Sequence, residues 1–178
     1  MSNSCVTRGI DHVGITVPDL DAASRFSSEA LGAIPLYDNI TREQEPTKGP
    51  AAEKELDLAP GTSLITIRMM QLANGPGIEL FEMKGPSQQK PARPSDFGLQ
   101  HFAVYVDDIE AAAKRFQQAG GELITGPNEM LGPEKGKGNA FLYARTPWNL
   151  LSSCSLLPAR RTTKRPMICA GGKQRSAE

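Results

Sequence analysis

The sequence predicts an α+β protein in which two βαβββ modules in tandem form a cupped mixed β-sheet with helices outside. An ungapped internal repeat relates residues 9–23 to residues 98–112. Each copy begins with an alternating run rich in β-branched residues, which is typical of a half-buried strand. Each copy then continues as a helix-forming segment that ends at glycine. Two copies of one strand-helix unit therefore indicate a duplicated module.

The only two histidines of the chain, His12 and His101, occupy matching positions in this repeat. A single histidine is more often structural than functional, but a matched pair is harder to explain by packing alone. Imidazole is a common ligand of divalent metals. We therefore expect the two rings to share one pseudo-symmetric metal site.

The first module begins with a strand, and Asp19 or Asp21 can cap the helix that follows. Gly32 suits the end of that helix because glycine takes the left-handed conformation at little cost. Residues 42–61 are rich in charge, Pro and Gly, and are expected to form a loop at a pocket mouth with a helical turn at 51–58. The other predicted elements are strands at 10–17, 33–40, 64–72 and 77–83, and a helix at 21–31.

The second module repeats this order after a linker rich in Pro, Gly, Ser and Gln. Its predicted elements are strands at 99–106, 122–125, 140–145 and 148–157, and a helix at 108–119. A Gly- and Pro-rich loop at 126–139 is expected to cover a ligand. The chain thus divides into an N-terminal extension (1–8), a first module (9–83), a linker (84–97), a second module (98–157) and a basic tail (158–178) expected to be disordered.

The composition of the chain argues against some classes of binding partner. Lys plus Arg and Asp plus Glu both number 20, so no net charge attracts the chain to nucleic acid or to an anionic membrane. The first residues lack the pattern of a secretory signal, and no apolar run is long enough to span a bilayer. The three cysteines are odd in number and lack C-x-x-C spacing. These features favour a cytoplasmic protein with a small-molecule substrate.

Strand alternation then predicts which side chains meet. His12, Gly14 and Thr16 share one face of the first strand. Two glutamates on the strand at 77–83 are candidate anionic ligands, but pleating sends them to opposite faces. We favour Glu79 over Glu82, since the neighbours of Glu79 on the opposite face, Ile78 and Leu80, are suited to packing under a helix. Glu79 shares its face with Phe81.

Several motifs together resemble the vicinal oxygen chelate superfamily, which includes glyoxalase I, methylmalonyl-CoA epimerase, extradiol dioxygenases and bleomycin-resistance proteins. They are G-I-D-H-V-G-I-T-V-P-D-L, P-G-I-E-L-F-E, G-L-Q-H-F-A-V-Y-V-D-D-I and F-L-Y-A-R-T-P-W, and the resemblance covers about residues 8–151. It implies one divalent metal, Zn, Ni, Mn, Co or Fe, held by one side chain from each of four strands. By position three of these ligands are His12, Glu79 and His101.

The fourth ligand is where the sequence departs from the family. Members typically close with P-W-G-N-L-x-E-L, whereas this chain reads P-W-N-L-L-S-S-C, without the glycine and with Ser152 where glutamate is expected. No Asp or Glu lies between Glu134 and Glu178, so a register slip supplies no substitute carboxylate. Serine is a poor metal ligand, and Cys154 is a speculative one. A change of reading frame near Leu151 is one explanation, which transcript sequencing would test.

The resemblance implies a metal-dependent lyase or isomerase, glyoxalase-like or epimerase-like, acting on a small vicinally oxygenated metabolite. Glu79 would be the ligand, the catalytic base or both. Phe81, Tyr105 and Tyr143 are the predicted substrate-binding residues. One alternative is an Fe(II) ring-cleaving dioxygenase using the two histidines and the glutamate. Another is a binding protein, or an impaired enzyme, that lacks the fourth ligand. A homodimer is compatible with the family.

Overall fold

The computed structural model describes residues 9–156. Its strands are β1 (His12–Val17), β2 (Ile34–Ile40), β3 (Thr47–Lys48), β4 (Ser63–Gln71), β5 (Gly77–Lys84), β6 (Phe102–Tyr105), β7 (Glu122–Leu123), β8 (Asn128–Glu129), β9 (Ala140–Arg145) and β10 (Leu151–Leu156). Its α-helices are α1 (Leu20–Leu31), α2 (Pro50–Leu56) and α3 (Ile109–Gln118), and a 3-10 turn spans Gly132–Glu134. Residues 1–8 and 157–178, which include the predicted N-terminal extension and basic tail, lie outside the described part.

The strands form two mixed sheets of the same design. The first has the order β1-β5-β4-β2 with β3 added beside β4, and the second has the order β6-β10-β9-β7 with β8 added beside β9. In each sheet the first strand of the module pairs in parallel with the last one, and the remaining pairs are antiparallel. The predicted fold class is therefore confirmed: two βαβββ modules form mixed sheets with helices outside.

The helix that follows the first strand of each module begins in the same way. The Asp19 carboxylate accepts a hydrogen bond from the Ala22 N–H at the start of α1. The Asp108 carboxylate does the same for the Ala111 N–H at the start of α3. An aspartate at this position satisfies a backbone N–H that the first turn leaves without a helical partner. Gly32 ends α1 with φ 70°, as predicted from the sequence.

Two buried clusters lie between the sheets and these helices. The first cluster joins β1, β4 and β5 to the start of α1, through side chains such as Val17, Leu20 and Leu80. The second joins β9, β10 and α3, but it also contains Phe26 and Ala30 from α1. Helix α1 therefore belongs to both cores. We call the face of each sheet that lies opposite its helix the open face.

Several elements differ from the sequence prediction. Strands β3 and β8 and the 3-10 turn lie in segments expected to be loops, where short polar strands give no periodic signal. Strand β6 begins at Phe102, so His101 directly precedes the strand rather than lying in it. Strand β10 begins at Leu151 instead of residue 148, because residues 146–150 form a hydrogen-bonded turn. No helix of the described residues is long and apolar enough to span a membrane.

Candidate metal and active site

The open face of the first sheet carries the first half of the candidate site. In the β1–β5 register His12 lies opposite Gly77, Gly14 opposite Glu79 and Thr16 opposite Phe81. Because paired residues share a face, the alternation that places His12 on the open face also places Glu79 there. A Cβ atom at Gly14 would lie 3.3 Å from the Phe81 ring. The glycine therefore lets the ring pack across β1 beside the two ionisable groups.

His12 and Glu79 are in direct contact. The His12 Nε2 atom lies 3.2 Å from Glu79 Oε2, and the side chains are 39% and 14% exposed. On its other side the ring contacts Asp11, with His12 Nδ1 2.8 Å from Asp11 Oδ2. The pKa of His12 is raised, chiefly by the Asp11 hydrogen bond and further by the negative charges of Glu79 and Asp11, while desolvation opposes the shift. The imidazole is therefore held between two carboxylates.

Glu82 performs a different task on the same strand. It points toward the helix and is buried. Its Oε2 atom accepts the backbone N–H of Leu20 at 3.0 Å and the Arg42 guanidinium at 2.7 Å. Arg42 also binds Asp21 in the first turn of α1. The Glu82 carboxylate thus fastens the start of α1 and the loop after β2 to β5, while Glu79 faces the open side.

The second sheet carries a chemically different half-site. His101 packs edge to face against Tyr143, with ring centroids 5.1 Å apart. Tyr143 packs in turn against Phe141, at 5.7 Å. His101 Nδ1 lies 3.0 Å from Gln100 Oε1. The Tyr105 residue is 70% exposed. The second histidine thus contacts an aromatic ring, whereas the first contacts a carboxylate.

The residue equivalent to Glu79 in the second module is Ser153. Gly14 pairs with Glu79, and its repeat partner Ala103 pairs with Ser153. The assignment of Ser152 to this position was therefore wrong. Ser152 pairs with the core residue Ala144 and faces the helix.

Cys154 is not a metal ligand in this arrangement. It pairs with Leu142, and both side chains belong to the second core. Burial raises the pKa of its thiol to about 11, so the thiolate that binds metals is disfavoured at neutral pH. The candidate site therefore has Ser153 in its fourth position.

The turn between β9 and β10 explains why Ser153, and not Ser152, holds this position. Asn149 adopts φ 71°, the left-handed conformation for which the family pattern supplies a glycine. The Thr146 hydroxyl accepts the Leu150 N–H, and Arg145 donates to the Asn149 carbonyl. Asn149 therefore takes the place of that glycine, the family pattern aligns with residues 147–154 without a gap, and its glutamate position falls on Ser153.

The donor chemistry of the first half-site fits a divalent cation. Neighbouring ligands of one ion with bonds of about 2.1 Å lie roughly 3.0 to 3.4 Å apart. The His12–Glu79 distance of 3.2 Å lies in that range. His101 is not part of this group, since the described residues contain no cluster of three or more His, Cys, Asp or Glu placed to hold a metal. The structure brings together two of the three predicted ligands.

A groove of about 630 Å³ runs between the edges of the two sheets. One wall is β1 from Val13 onward, and the other includes His101 and Trp148. Residues 88–92 of the predicted linker also line it, which sequence reasoning did not anticipate. The Pro and Gln content of the segment indicated a loop but gave no sign of where that loop lies. Of the predicted site residues, His101 lines this groove, whereas His12, Glu79, Phe81, Tyr105 and Tyr143 do not.

Comparison with known proteins identifies the family. The profile of the glyoxalase/bleomycin resistance protein/dioxygenase superfamily matches residues 11–141. The chain belongs to this superfamily. The resemblance to vicinal oxygen chelate proteins, inferred from the sequence motifs, is thereby confirmed.

Two curated proteins resemble the chain in sequence. A 2-epi-5-epi-valiolone epimerase from Actinomyces sp. is 32% identical over 151 residues, covering 84% of this chain and 80% of the relative. An uncharacterized protein, YwbC of Bacillus subtilis strain 168, is 28% identical over 119 residues, covering 67% and 77%.

Solved structures of the superfamily share the fold. A glyoxalase family protein from Bacillus cereus matches with a TM-score of 0.65 at 22% identity, covering 88% of this chain and 97% of that one. The fosfomycin resistance protein FosX from Listeria monocytogenes matches with a TM-score of 0.55 at 16% identity, covering 85% and 94%. These likenesses show the arrangement of the modules.

Proposed function

We propose that this protein is a metal-dependent epimerase of a small metabolite that carries a carbonyl group beside a hydroxyl-bearing carbon. The observation that carries the proposal is the Glu79 carboxylate, held 3.2 Å from His12 Nε2 on the open face of the first sheet. The sequence likeness to a 2-epi-5-epi-valiolone epimerase supports the reaction class.

Glu79 is the proposed base. Its side chain is only 14% exposed, so few water molecules compete for the carboxylate. It would remove the proton from the carbon beside the carbonyl group, which leaves an enediolate, and a proton returned to the opposite face of that carbon completes epimerisation. The Phe81 ring lies next to Glu79 on the same face and offers an apolar wall that orients the substrate.

His12 and Glu79 would hold the metal, and His101 would join them as the third ligand only if metal binding drew the second half-site toward the first. When bound, a divalent cation stabilises the negative charge that develops on the substrate oxygens. The Asp11 contact orients the His12 ring, and the Tyr143 contact orients the His101 ring from the second sheet. Tyr143 and Tyr105 are the proposed contacts to the substrate on the second-module side.

The decisive experiment follows proton exchange in ²H₂O by NMR. The substrates are 2-epi-5-epi-valiolone and a panel of small α-hydroxy ketones, each tested with Zn, Ni, Mn, Co or Fe(II). We expect deuterium to enter the carbon beside the carbonyl group, and Glu79→Gln to reduce the rate by at least about 10²-fold. Glu55→Gln on the exposed face of α2 is the matched control and should leave the rate unchanged.

Exchange by the Glu79→Gln variant at the wild-type rate would rule out the proposed base. Equal rates with and without a chelator would rule out the metal. The ring-cleaving dioxygenase remains a prediction that oxygen uptake with catechols would test.

A binding protein without turnover is the second candidate, and Ser153 favours it. A serine at this position removes one anionic ligand and one acid-base group from the second module. A protein that retains a substrate analogue but catalyses no exchange with any of the five metals would support this candidate over the epimerase.

A further inference from the structure

We infer that Asp11 and Gln100 are positioning residues that fix the tautomer of the two histidines, so that each ring presents an unprotonated Nε2 atom to a metal. The inference rests on the proposed metal site, and it assigns a role to two residues outside the predicted ligand set.

Each histidine is hydrogen-bonded through Nδ1 to the side chain directly before it in the sequence. His12 Nδ1 lies 2.8 Å from Asp11 Oδ2. His101 Nδ1 lies 3.0 Å from Gln100 Oε1. Asp11 and Gln100 are themselves equivalent in the internal repeat. The same contact has therefore formed in both modules from two different side chains.

The chemistry of the acceptors determines the position of the ring proton. A carboxylate oxygen only accepts hydrogen bonds, so the Asp11 contact requires the proton on His12 Nδ1. A Gln side chain has both a donor and an acceptor, and its orientation decides the outcome. The Gln100 amide nitrogen donates to the Pro94 carbonyl at 2.9 Å, which turns its oxygen toward His101. Both neutral rings then carry their lone pair on Nε2.

This tautomer makes the first half-site favourable for a cation. With the proton on Nδ1, the neutral His12 ring directs its Nε2 lone pair at the Glu79 carboxylate, 3.2 Å away. Two lone pairs at this distance repel each other unless a positive charge lies between them. The reverse tautomer would place an N–H against Glu79 and satisfy the carboxylate without a metal. Of the two neutral tautomers, Asp11 therefore disfavours the one in which the ring itself donates to Glu79, and it leaves that position to a proton or a metal ion.

These contacts are exposed to solvent, but an exposed hydrogen bond can still select one tautomer of a histidine. Asp11 is 93% exposed, so its hydrogen bond contributes little to folding. The two neutral forms of imidazole are close in free energy, however, and one hydrogen bond is enough to choose between them. Partners of this kind fix the orientation of ligating histidines in metal proteins generally.

The test is ¹⁵N NMR of the neutral imidazole rings in metal-free protein at alkaline pH. The chain has two histidines, so His101→Gln assigns both signals. We expect both rings in the Nδ1–H form. Asp11→Ala should shift His12 toward the Nε2–H form, and Asp11→Asn should shift it less, because its amide oxygen still accepts but no second contact fixes the orientation of the amide. Gln100→Leu should shift His101 alone.

Matched controls remove the same groups elsewhere. Asp107→Ala and Gln117→Leu change exposed residues near the second module, and neither should alter either ring. A His12 ring that stays in the Nδ1–H form in Asp11→Ala, or one already in the Nε2–H form in wild type, would overturn the inference for Asp11. A His101 ring that stays in the Nδ1–H form in Gln100→Leu, or one already in the Nε2–H form in wild type, would overturn the inference for Gln100.

Metal titration by calorimetry gives the second readout. Asp11→Ala should weaken Zn²⁺ binding by about 10- to 100-fold, and Asp11→Asn by less. If the wild-type protein shows the expected tautomers but binds none of the five metals, the proposed metal dependence fails and the tautomer assignment stands. If the Asp11→Ala variant binds Zn²⁺ with the same affinity as the wild-type protein, the positioning role of Asp11 fails and the metal site stands.

Discussion

Ser153 occupies in the second module the place that Glu79 occupies in the first, and the two residues differ in what they offer a cation. A carboxylate brings a negative charge and two hard oxygen donors, whereas a neutral hydroxyl is a weak ligand. The pairing of Ser153 with Ala103 and Tyr143 places it on the open face beside the second half-site. One substitution therefore tests whether the site can be completed.

Ser153→Glu is expected to increase affinity for divalent metal by about tenfold or more, equivalent to about 1.4 kcal/mol. Ser153 is 4% exposed, so the added carboxylate should destabilise the metal-free protein, and metal should restore stability by binding the folded state. Thermal unfolding with and without Zn²⁺, together with calorimetry, measures both effects.

Ser152→Glu is the control because its side chain faces the helix. It should lower the unfolding temperature without any rescue by metal. Rescue of Ser152→Glu but not of Ser153→Glu would show that the register assigned to β10 is wrong.

Cys154 supplies a pH-dependent prediction. Burial raises the pKa of its thiol to about 11, above the ordinary value of a cysteine. The folded state therefore holds the thiol proton to higher pH than the unfolded state does, so stability should fall as pH rises from about 9 to 11. Chemical denaturation across this range measures the fall, and Cys154→Ala should flatten it. An equally steep fall in the variant would assign it to other groups.

For individual residues, the sequence correctly predicts which face of a strand a side chain occupies where the local pattern of apolar residues determines that face. The alternation of β5 sufficed to place Glu79 on the open face, because its neighbours Ile78 and Leu80 are apolar and lie in the first core. Sequence reasoning failed at Ser152 because it treated the glycine of the family pattern as missing, which moved every later position by one residue. Asn149 in the left-handed conformation fixes the turn before β10, and no local pattern in β10 reports it.

The pleating of β5 places its two glutamates on opposite faces, so that one stabilises the fold and the other belongs to the candidate site. Its open face carries Glu79, and its helix face carries Glu82, which binds the Leu20 N–H and Arg42. Arg68 extends the network by binding both Asp21 and Asp38. Two glutamates three residues apart thus have roles that do not overlap.

Glu82→Ala should lower the free energy of unfolding by about 2 to 4 kcal/mol, because it leaves a buried N–H and a guanidinium without their acceptor. Glu79→Ala should cost little stability and abolish metal uptake. Urea denaturation and metal analysis of both variants measure the two effects. Strong destabilisation by Glu79→Ala together with a neutral Glu82→Ala would reverse the assigned faces.

Elements with a strong local signal were predicted, and elements made by pairing were missed. Helices α1 and α3 have an aspartate cap and a stripe of apolar residues, so their existence follows from sequence. Strands β3 and β8 have two residues each, and they are strands because β4 and β9 offer edges for hydrogen bonding. Such pairing depends on the tertiary fold and leaves no period in the sequence.

The whole molecule is joined through α1. Phe26 packs edge to face against Phe116 of α3 at 5.1 Å and against Trp148 at 5.3 Å. Arg115 of α3 donates two hydrogen bonds to the Glu29 carbonyl near the end of α1. The repeat predicted two modules but contained no information about this contact, because Phe26 lies beyond the repeated segment.

Because Phe26 belongs to the second core, we expect both modules to unfold in a single transition. The chain has one tryptophan, so fluorescence reports on this interface, while circular dichroism reports on all elements. The two curves should coincide. Phe26→Ala should destabilise both modules together, by about 3 to 5 kcal/mol. A fluorescence transition that precedes the loss of circular dichroism would show that the interface separates first.

The inequality of the two half-sites also bears on stereochemistry. If the substrate binds between the modules as proposed, the first module offers it the Glu79 carboxylate, and the second offers only the hydroxyl groups of Ser153 and Tyr143. A hydrogen that leaves and returns by way of Glu79 restores the original configuration, whereas inversion requires delivery by a much weaker acid from the opposite side. Such an enzyme would exchange the substrate hydrogen for solvent deuterium faster than it converts one stereoisomer into the other.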